Sequence, residues 1–218
     1  MERFYIFDNK NTFSDWNMIL TDSTIAPPEI KTNYIDIDGM SGSLDLTEAL
    51  TGEITYNDRT ISMSFLTDYG TREDRTVLLH KIRQFLHGRK LKIIEPDDPT
   101  HYFYGRVKIK DETNLLTYST LSIEAICDPW RYLAEESKRF INISGNTISK
   151  IVFRNNGIKT ICPDIIVSGS VSIYYDDTTI SLNDGSYKIA DIKLYPGVTT
   201  VGVSGNGSII FSYREATL

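Results

Sequence analysis

Alternation of apolar and polar residues with period two runs through most of this chain, and a helical period surfaces only once. In residues 59–65, Ile61, Met63 and Phe65 alternate with Thr60, Ser62 and Ser64, which predicts a strand with one buried face. Residues 52–56 precede it across Asn57-Asp58, a pair suited to a two-residue turn, so the two runs predict a β-hairpin. A lone hairpin is marginal in water and needs a sheet or another subunit to pack on. Just upstream, Gly39 and Gly42 flank a short polar tip, and Asp45 and Thr47 can hydrogen-bond their own main chain. Residues 34–65 therefore form the stretch around which the rest is organised.

In residues 1–20 the spacing of Phe4, Ile6, Phe13, Trp16, Met18 and Leu20 predicts two short strands about a polar turn at 8–11, with Trp16 as a core anchor. Residues 21–32, with Pro27-Pro28, read as an extended connector. The helical period falls at 71–88. Thr71 can cap it with Asp74 three residues on, Val77, Leu78, Ile82, Phe85 and Leu86 form the apolar stripe, and Gly88 stops it. Strands are expected at 91–94, 102–109, 115–118 and 121–126.

Past Glu135-Glu136 the texture changes. Short β-branched runs punctuated by Gly, Asn and Asp follow at 141–143, 148–153, 161–167, 171–175, 178–182, 186–189, 193–195, 198–203 and 208–214. The fold class is mainly β: a sandwich-like first domain with one helix over residues 1–133, then a second β-sandwich over residues 134–218.

Composition sharpens this picture mostly by exclusion. With 218 residues, 40% hydrophobic and 24% charged, the chain can bury a proper core and has no run able to span a bilayer. Residues 1–8 lack the apolar core of a secretory leader, which predicts folding in a cytoplasm. Cys127 and Cys162 are too isolated for a zinc site and are expected as reduced thiols. The net charge of −6 argues against a phosphate-gripping protein.

Candidate chemistry is thin. Asp36-x-Asp38-Gly39 opens like a calcium loop, but Met40, Ser41 and Thr47 stand where an EF-hand needs a ligand, a glycine and a glutamate. Asp97-Asp98 and Asp176-Asp177 read as turns. His80 and His87 lack zinc-protease spacing, and Arg83, Arg89 and Lys90 complement the helix dipole. No nucleophile elbow or phosphate loop is present, so no enzymatic activity, metal or cofactor is expected.

The residues Asp38-Gly39, Gly42 to Thr47, and Tyr56 to Ile61 with Phe65 resemble the distal tail protein (Dit) family of long-tailed phages, as do Phe7, Asn9, Phe13 to Trp16 and Pro27-Pro28. Cys127 to Tyr132 is similar to the family's crossing between domains. Pro163 to Gly169, Leu194 to Val198 and Gly205 to Glu215 resemble its galectin-like second domain.

The resemblance implies a homo-hexameric ring in the virion tail. Its partners would be the tail tube protein, a tail-associated hub or tip protein, and receptor-binding or other baseplate proteins, with DNA passing through the channel without specific binding. An extended hairpin with free main-chain groups can pair across a subunit boundary. Asp38, Gly39, Gly42, Leu44, Asp45, Leu46, Thr47, Arg59 and Ile61 are therefore the candidate subunit-interface residues. The alternative is a carbohydrate-binding module acting in host cell-wall attachment, with Tyr174, Tyr175, Tyr187, Tyr195 and Tyr213 as stacking candidates.

Overall fold

The computed structural model describes residues 3–49 and 51–218, so the first two residues of the stretch examined for a leader lie outside it. The chain divides into two compact units, with the boundary between Arg131 and Tyr132.

The first unit runs β1 (Ile6–Phe7), β2 (Lys10–Asn11), β3 (Ile19–Ile25), β4 (Tyr34–Asp36), β5 (Ser43–Asp45), β6 (Arg59–Thr67), α1 (Arg72–Leu86), β7 (Lys90–Ile94), β8 (His101–Asn114) and β9 (Ser119–Cys127). Its main sheet is antiparallel in the order β2-β1-β7-β8-β9-β6-β3, while β4 and β5 pair only with each other. Strict alternation puts Ile61, Met63 and Phe65 of β6 and Leu121, Ile123 and Ala125 of β9 on one buried face. α1 closes that face with Leu79, Ile82 and Leu86. Trp16 joins the same core, stacked on Phe7 and edge-on to Phe85.

Several strand expectations for this unit need correction. The strand at β6 pairs with β3 and β9 and makes no hairpin with residues 52–56, which form no strand of their own. Residues 19–25, partly assigned to the connector, are a strand, because β6 needs a partner on its free edge. Residues 115–118 form the turn between β8 and β9, and Leu116 is 80% exposed.

The helix begins where its capping box places it, with the Thr71 hydroxyl accepting from the Asp74 N–H at 3.2 Å and the Asp74 carboxylate accepting from the Thr71 N–H at 2.9 Å. Its buried stripe is Arg75, Leu79, Ile82 and Leu86, and Val77, expected inside, is exposed. Arg75 is fully buried and, among the described residues, has no carboxylate ion-pair partner. Its guanidinium donates to the Gly70, Leu115 and Leu116 carbonyls at 2.8–3.0 Å and to the Ser119 hydroxyl at 3.1 Å.

The second unit contains β11 (Ser137–Asn155), β12 (Asp164–Tyr175), β13 (Thr178–Leu182), β14 (Gly185–Lys188), β15 (Gly197–Tyr213) and β16 (Ala216–Thr217), after β10 (Arg131–Leu133), which starts at the boundary and pairs with β16. The sheet order is β11-β15-β12-β13, with β14 beside β12. Several short runs separated in the sequence reading are thus halves of long strands. Gly145, Gly169, Gly205 and Gly207, expected to break strands, lie within them.

Those glycines let the sheet fold over on itself. Phe153 lies opposite Thr199 near one end of β15 and Phe211 lies near the other, a separation of about 40 Å along a straight strand. Yet the Phe153 and Phe211 rings are 5.0 Å apart, and the Tyr213 hydroxyl donates to the Arg154 carbonyl at 3.1 Å. The two halves of each long strand therefore face each other across a second core that includes Phe153, Ile165, Ile173, Val203 and Phe211. Asp176 and Asp177 form the turn joining β12 to β13, with Asp176 at φ 49°. Asp98 turns the chain by accepting from the Thr100 N–H at 3.1 Å.

Neither cysteine is disulfide-bonded. Cys127 is fully buried in the first core, and burial pushes its thiol pKa up to about 12, whereas Cys162 is half-buried. A thiol titration of the folded chain at about pH 8 is expected to count one fast-reacting group and two after denaturation. Two fast thiols in the native state would place Cys127 outside the core.

Candidate assembly surface

Between β3 and β6 the chain leaves the main sheet as a long two-stranded arm. At its root Ile30 bridges Tyr56, the Lys31 N–H donates to the Thr55 carbonyl at 2.9 Å, and the Asn57 N–H donates to the Glu29 carbonyl at 2.8 Å. Residues 55–57 therefore do pair, but with the connector beyond Pro28 and not with β6. In mid-arm the Leu46 N–H donates to the Asn33 carbonyl at 2.8 Å, and the Asn33 N–H donates to the Thr47 hydroxyl at 3.1 Å.

The outer part is the β4–β5 hairpin, with Tyr34 opposite Asp45, Ile35 opposite Leu44 and Asp36 opposite Ser43. Its tip needs two residues at positive φ, supplied by Gly39 at 85° and Gly42 at 82°. Asp36 accepts from the Ser43 hydroxyl, and Asp45 accepts from the Thr47 N–H at 2.9 Å. Hydrogen bonds from Thr47 hold the Asp45 carboxyl below the usual aspartate range, so it stays ionised in mild acid.

Every residue from 31 to 45 is exposed. This stretch includes large apolar side chains such as Ile35, Ile37, Met40 and Leu44, and Ile54 is exposed lower on the arm. An open groove of about 620 Å³ runs between the strands, lined by Ile30, Tyr34, Asp45, Thr47 and Ile54 among others. A two-stranded ribbon with so much exposed apolar surface is marginal in water by itself.

The candidate interface residues thus divide into two groups. Asp38, Gly39, Gly42, Leu44 and Asp45 lie exposed on the outer arm, with Leu46 and Thr47 half-buried behind them. Arg59 and Ile61 instead face the first core, because they occupy inward positions of β6; Ile61 is fully buried and Arg59 is 5% exposed. The Arg59 guanidinium lies 5.2 Å from the Phe103 ring, and Arg131 lies 5.5 Å from the same ring. Arg131 is paired with Glu95 and with Asp98 at 3.1 Å. Arg59 has two buried N–H-bearing atoms, Nε and Nη2, with no hydrogen-bond partner among the described residues, and burial, followed by the charge of Arg131, lowers its pKa. In the sequence Arg59 reads as a polar interface residue, and the structure corrects this. Its burial follows from β6 having its arginine on the core side at the end of the sheet.

Among the described residues, no three His, Cys, Asp or Glu side chains are grouped to hold a metal, and no helix is long and apolar enough to cross a membrane. His87 accepts the Ile109 N–H at 3.2 Å, a structural contact. Of the five tyrosines considered for sugar stacking, Tyr175 and Tyr213 are buried, Tyr174 and Tyr187 are half-buried, and Tyr195 is exposed.

No protein-family model and no curated protein sequence matches the chain. Solved structures do. The crystal structure of the phage SPP1 Dit protein (gp 19.1), described as a paradigm of the hub adsorption apparatus in phages infecting Gram-positive bacteria, superposes with a TM-score of 0.71 at 16% identity, over 98% of this chain and 99% of that one. Chains of the phage p2 baseplate in its activated conformation, with Sr and with Ca, align at 9% identity over 98% and 99% of this chain, with TM-scores of 0.48 and 0.45. From its first described strand to its last, this chain has the mainly-β fold of the phage SPP1 Dit protein.

Proposed function

We propose that this chain is a distal tail protein, a structural subunit in the tail of a long-tailed phage, prophage or tail-like particle. Six copies close into a ring that links the tail tube to the baseplate and surrounds the DNA channel. The observation that carries this reading is the fold likeness to SPP1 Dit, which spans 98% of this chain and 99% of that one and so covers both units. The exposed β4–β5 arm supports it, because an isolated subunit has no use for a ribbon of uncovered isoleucines.

In this reading residues 1–133 form the ring-forming, tail-tube-like domain. Residues 134–218 form the galectin-like domain, which offers docking sites to receptor-binding or other baseplate proteins, and a tail-associated hub protein lies beneath the ring. The arm residues Asp38, Gly39, Gly42, Leu44, Asp45, Leu46 and Thr47 make the subunit contact, while Arg59 and Ile61 hold the root of the arm in the first core. The protein performs no chemistry, and DNA passes through without specific binding.

Negative-stain imaging and native mass spectrometry of the purified chain are expected to show six-membered rings. Deleting residues 38–46 removes the tip of an arm that contributes nothing to either core, so the variant should keep its unfolding temperature and lose the rings. Intact rings of the deletion variant would overturn the role given to the arm.

A further inference from the structure

Charge is distributed very unevenly over this molecule. Residues 29–58 hold seven carboxylates against the single Lys31, a net charge of −6 that equals the net charge of the entire chain, −6, so the rest is neutral on balance. The net negative charge is therefore that of the arm segment.

The hairpin register sorts the arm's side chains by face. Tyr34, Asp36, Ser43 and Asp45 share one side, and Ile35 and Leu44 share the other. Among the described residues, Asp36, Asp38, Asp45 and Glu48 take part in no ion pair.

The complementary sign lies on the face of the main sheet turned away from α1. Lys90 and Lys92 of β7 and Arg106, Lys108 and Lys110 of β8 are all exposed there. The Lys90 and Lys92 ammonium groups lie 4.7 and 5.0 Å from the rings of Tyr104 and Tyr102. Lys90 is paired with Asp128 and Lys110 with Glu124, each at the sheet surface, whereas Lys92, Arg106 and Lys108 have no carboxylate partner among the described residues. Ile126, 52% exposed, lies opposite Arg106 and gives this basic face an apolar centre.

We infer that the basic face of β7–β8–β9 is the receptor for the acidic face of the β4–β5 arm of a second copy of this chain. The inference rests on the ring reading and names the surface the arm would grip. Within one chain residues 31–45 are exposed, and Asp36, Asp38 and Asp45 form no ion pair with Lys92, Arg106 or Lys108, so the two surfaces are open to a second copy. A duplex of phosphates fits less well, because Glu124 and Asp128 stand among the cations and Ile126 lies at the centre. Opposed charges set the register and rate of association, and the exposed tyrosine and isoleucine side chains supply apolar contact.

The test is a reciprocal charge swap read by native mass spectrometry over a dilution series, with thermal unfolding to confirm that each variant folds. Asp36→Lys with Asp38→Lys changes the sign of the outer hairpin, where only Asp45 stays acidic, and Lys92→Glu with Lys108→Glu replaces two unpaired cations of the face by carboxylates. Each reversal alone is expected to raise the concentration at which rings dissociate by about tenfold or more, and the combined variant to return to within about threefold of the wild type.

Rings indifferent to both reversals, or a combination no better than either alone, overturn the docking and leave the ring reading standing. A wild-type chain that stays monomeric throughout overturns the ring reading and the docking with it. Retardation of a short DNA duplex that is abolished by Lys92→Glu with Lys108→Glu, in a variant whose rings persist, would give the face to nucleic acid instead.

Discussion

Arg75→Met should lower the stability of the first unit by about 3 kcal/mol, or about 10 °C in unfolding temperature. Methionine matches the length and fills the space but supplies no donors. The Gly70, Leu115 and Leu116 carbonyls and the Ser119 hydroxyl would lose the charged group that satisfies them. That hub ties the start of α1 to the β8–β9 turn, and Ser119 extends it by donating to Asn114 Oδ1 at 2.7 Å, whose amide donates to the Thr76 hydroxyl at 2.7 Å. Arg75→Lys should recover less than half of the loss, since one ammonium cannot reach acceptors spread around a planar fork. Both tryptophans, Trp16 and Trp130, lie in the first unit, so their fluorescence reports the relevant transition. A loss below about 0.5 kcal/mol for Arg75→Met would show that solvent replaces the hub without cost.

The second large effect is expected in the other unit. Gly169 sits at φ 98°, and a Cβ there would meet the Asn206 carbonyl oxygen at 2.3 Å; at Gly207 the corresponding approach is 2.0 Å to the Ser168 oxygen. The two glycines face each other in the β12–β15 ladder at the bend that brings Phe153 onto Phe211. The obstructing atoms are backbone and cannot step aside without opening the ladder. Gly169→Ala or Gly207→Ala should therefore cost about 3 kcal/mol or more, from left-handed strain and collision together. Circular dichroism should show an early β-sheet transition while the tryptophan signal keeps its wild-type midpoint. An alanine variant that unfolds within about 1 kcal/mol of the wild type would remove the bend from this account.

Some of this was legible in the residues themselves. The α1 start follows from Thr71 and Asp74, since a capping box is a local pattern read at fixed spacing. The inward faces of β6 and β9 follow from alternation, and the turns at Asp98 and Asp176 from the conformational freedom and self-bonding of aspartate. Of the expected stripe on α1, Ile82 and Leu86 are buried and Leu78 and Phe85 pack against the same core, while Val77 is exposed and Leu79 is buried instead. The sheet chose the face with Leu79 and bought it at the expense of Val77. Arg75 gave no signal, because a charged residue on a helix is ordinarily solvated, and only the β8–β9 turn places acceptors around it.

The layout of the candidate surface was half legible. Its residues stood out for polar turns and β-branched runs, and Asp38 to Asp45 do lie exposed at the end of an arm. Which strand pairs with which was not available, because register between distant segments is a long-range choice that alternation cannot make. Thus Thr55 to Asn57 pair with the chain at Glu29 to Lys31, and Arg59, which reads as a polar contact residue, turns into the core. Glycine misled in the second unit for the same reason, since a glycine that permits a bend inside a strand looks like one that ends it.

By itself, then, the sequence determined the mainly-β class, the single long helix and its cap, the change of texture near residue 132 and the inward faces of the central strands, because each is written in contacts between near neighbours. Only the tertiary structure decided the strand partners, the folded-over second sheet, the buried arginines and the separation of an acidic arm from a basic sheet face. Those depend on segments tens of residues apart meeting in space, and no local pattern encodes who meets whom.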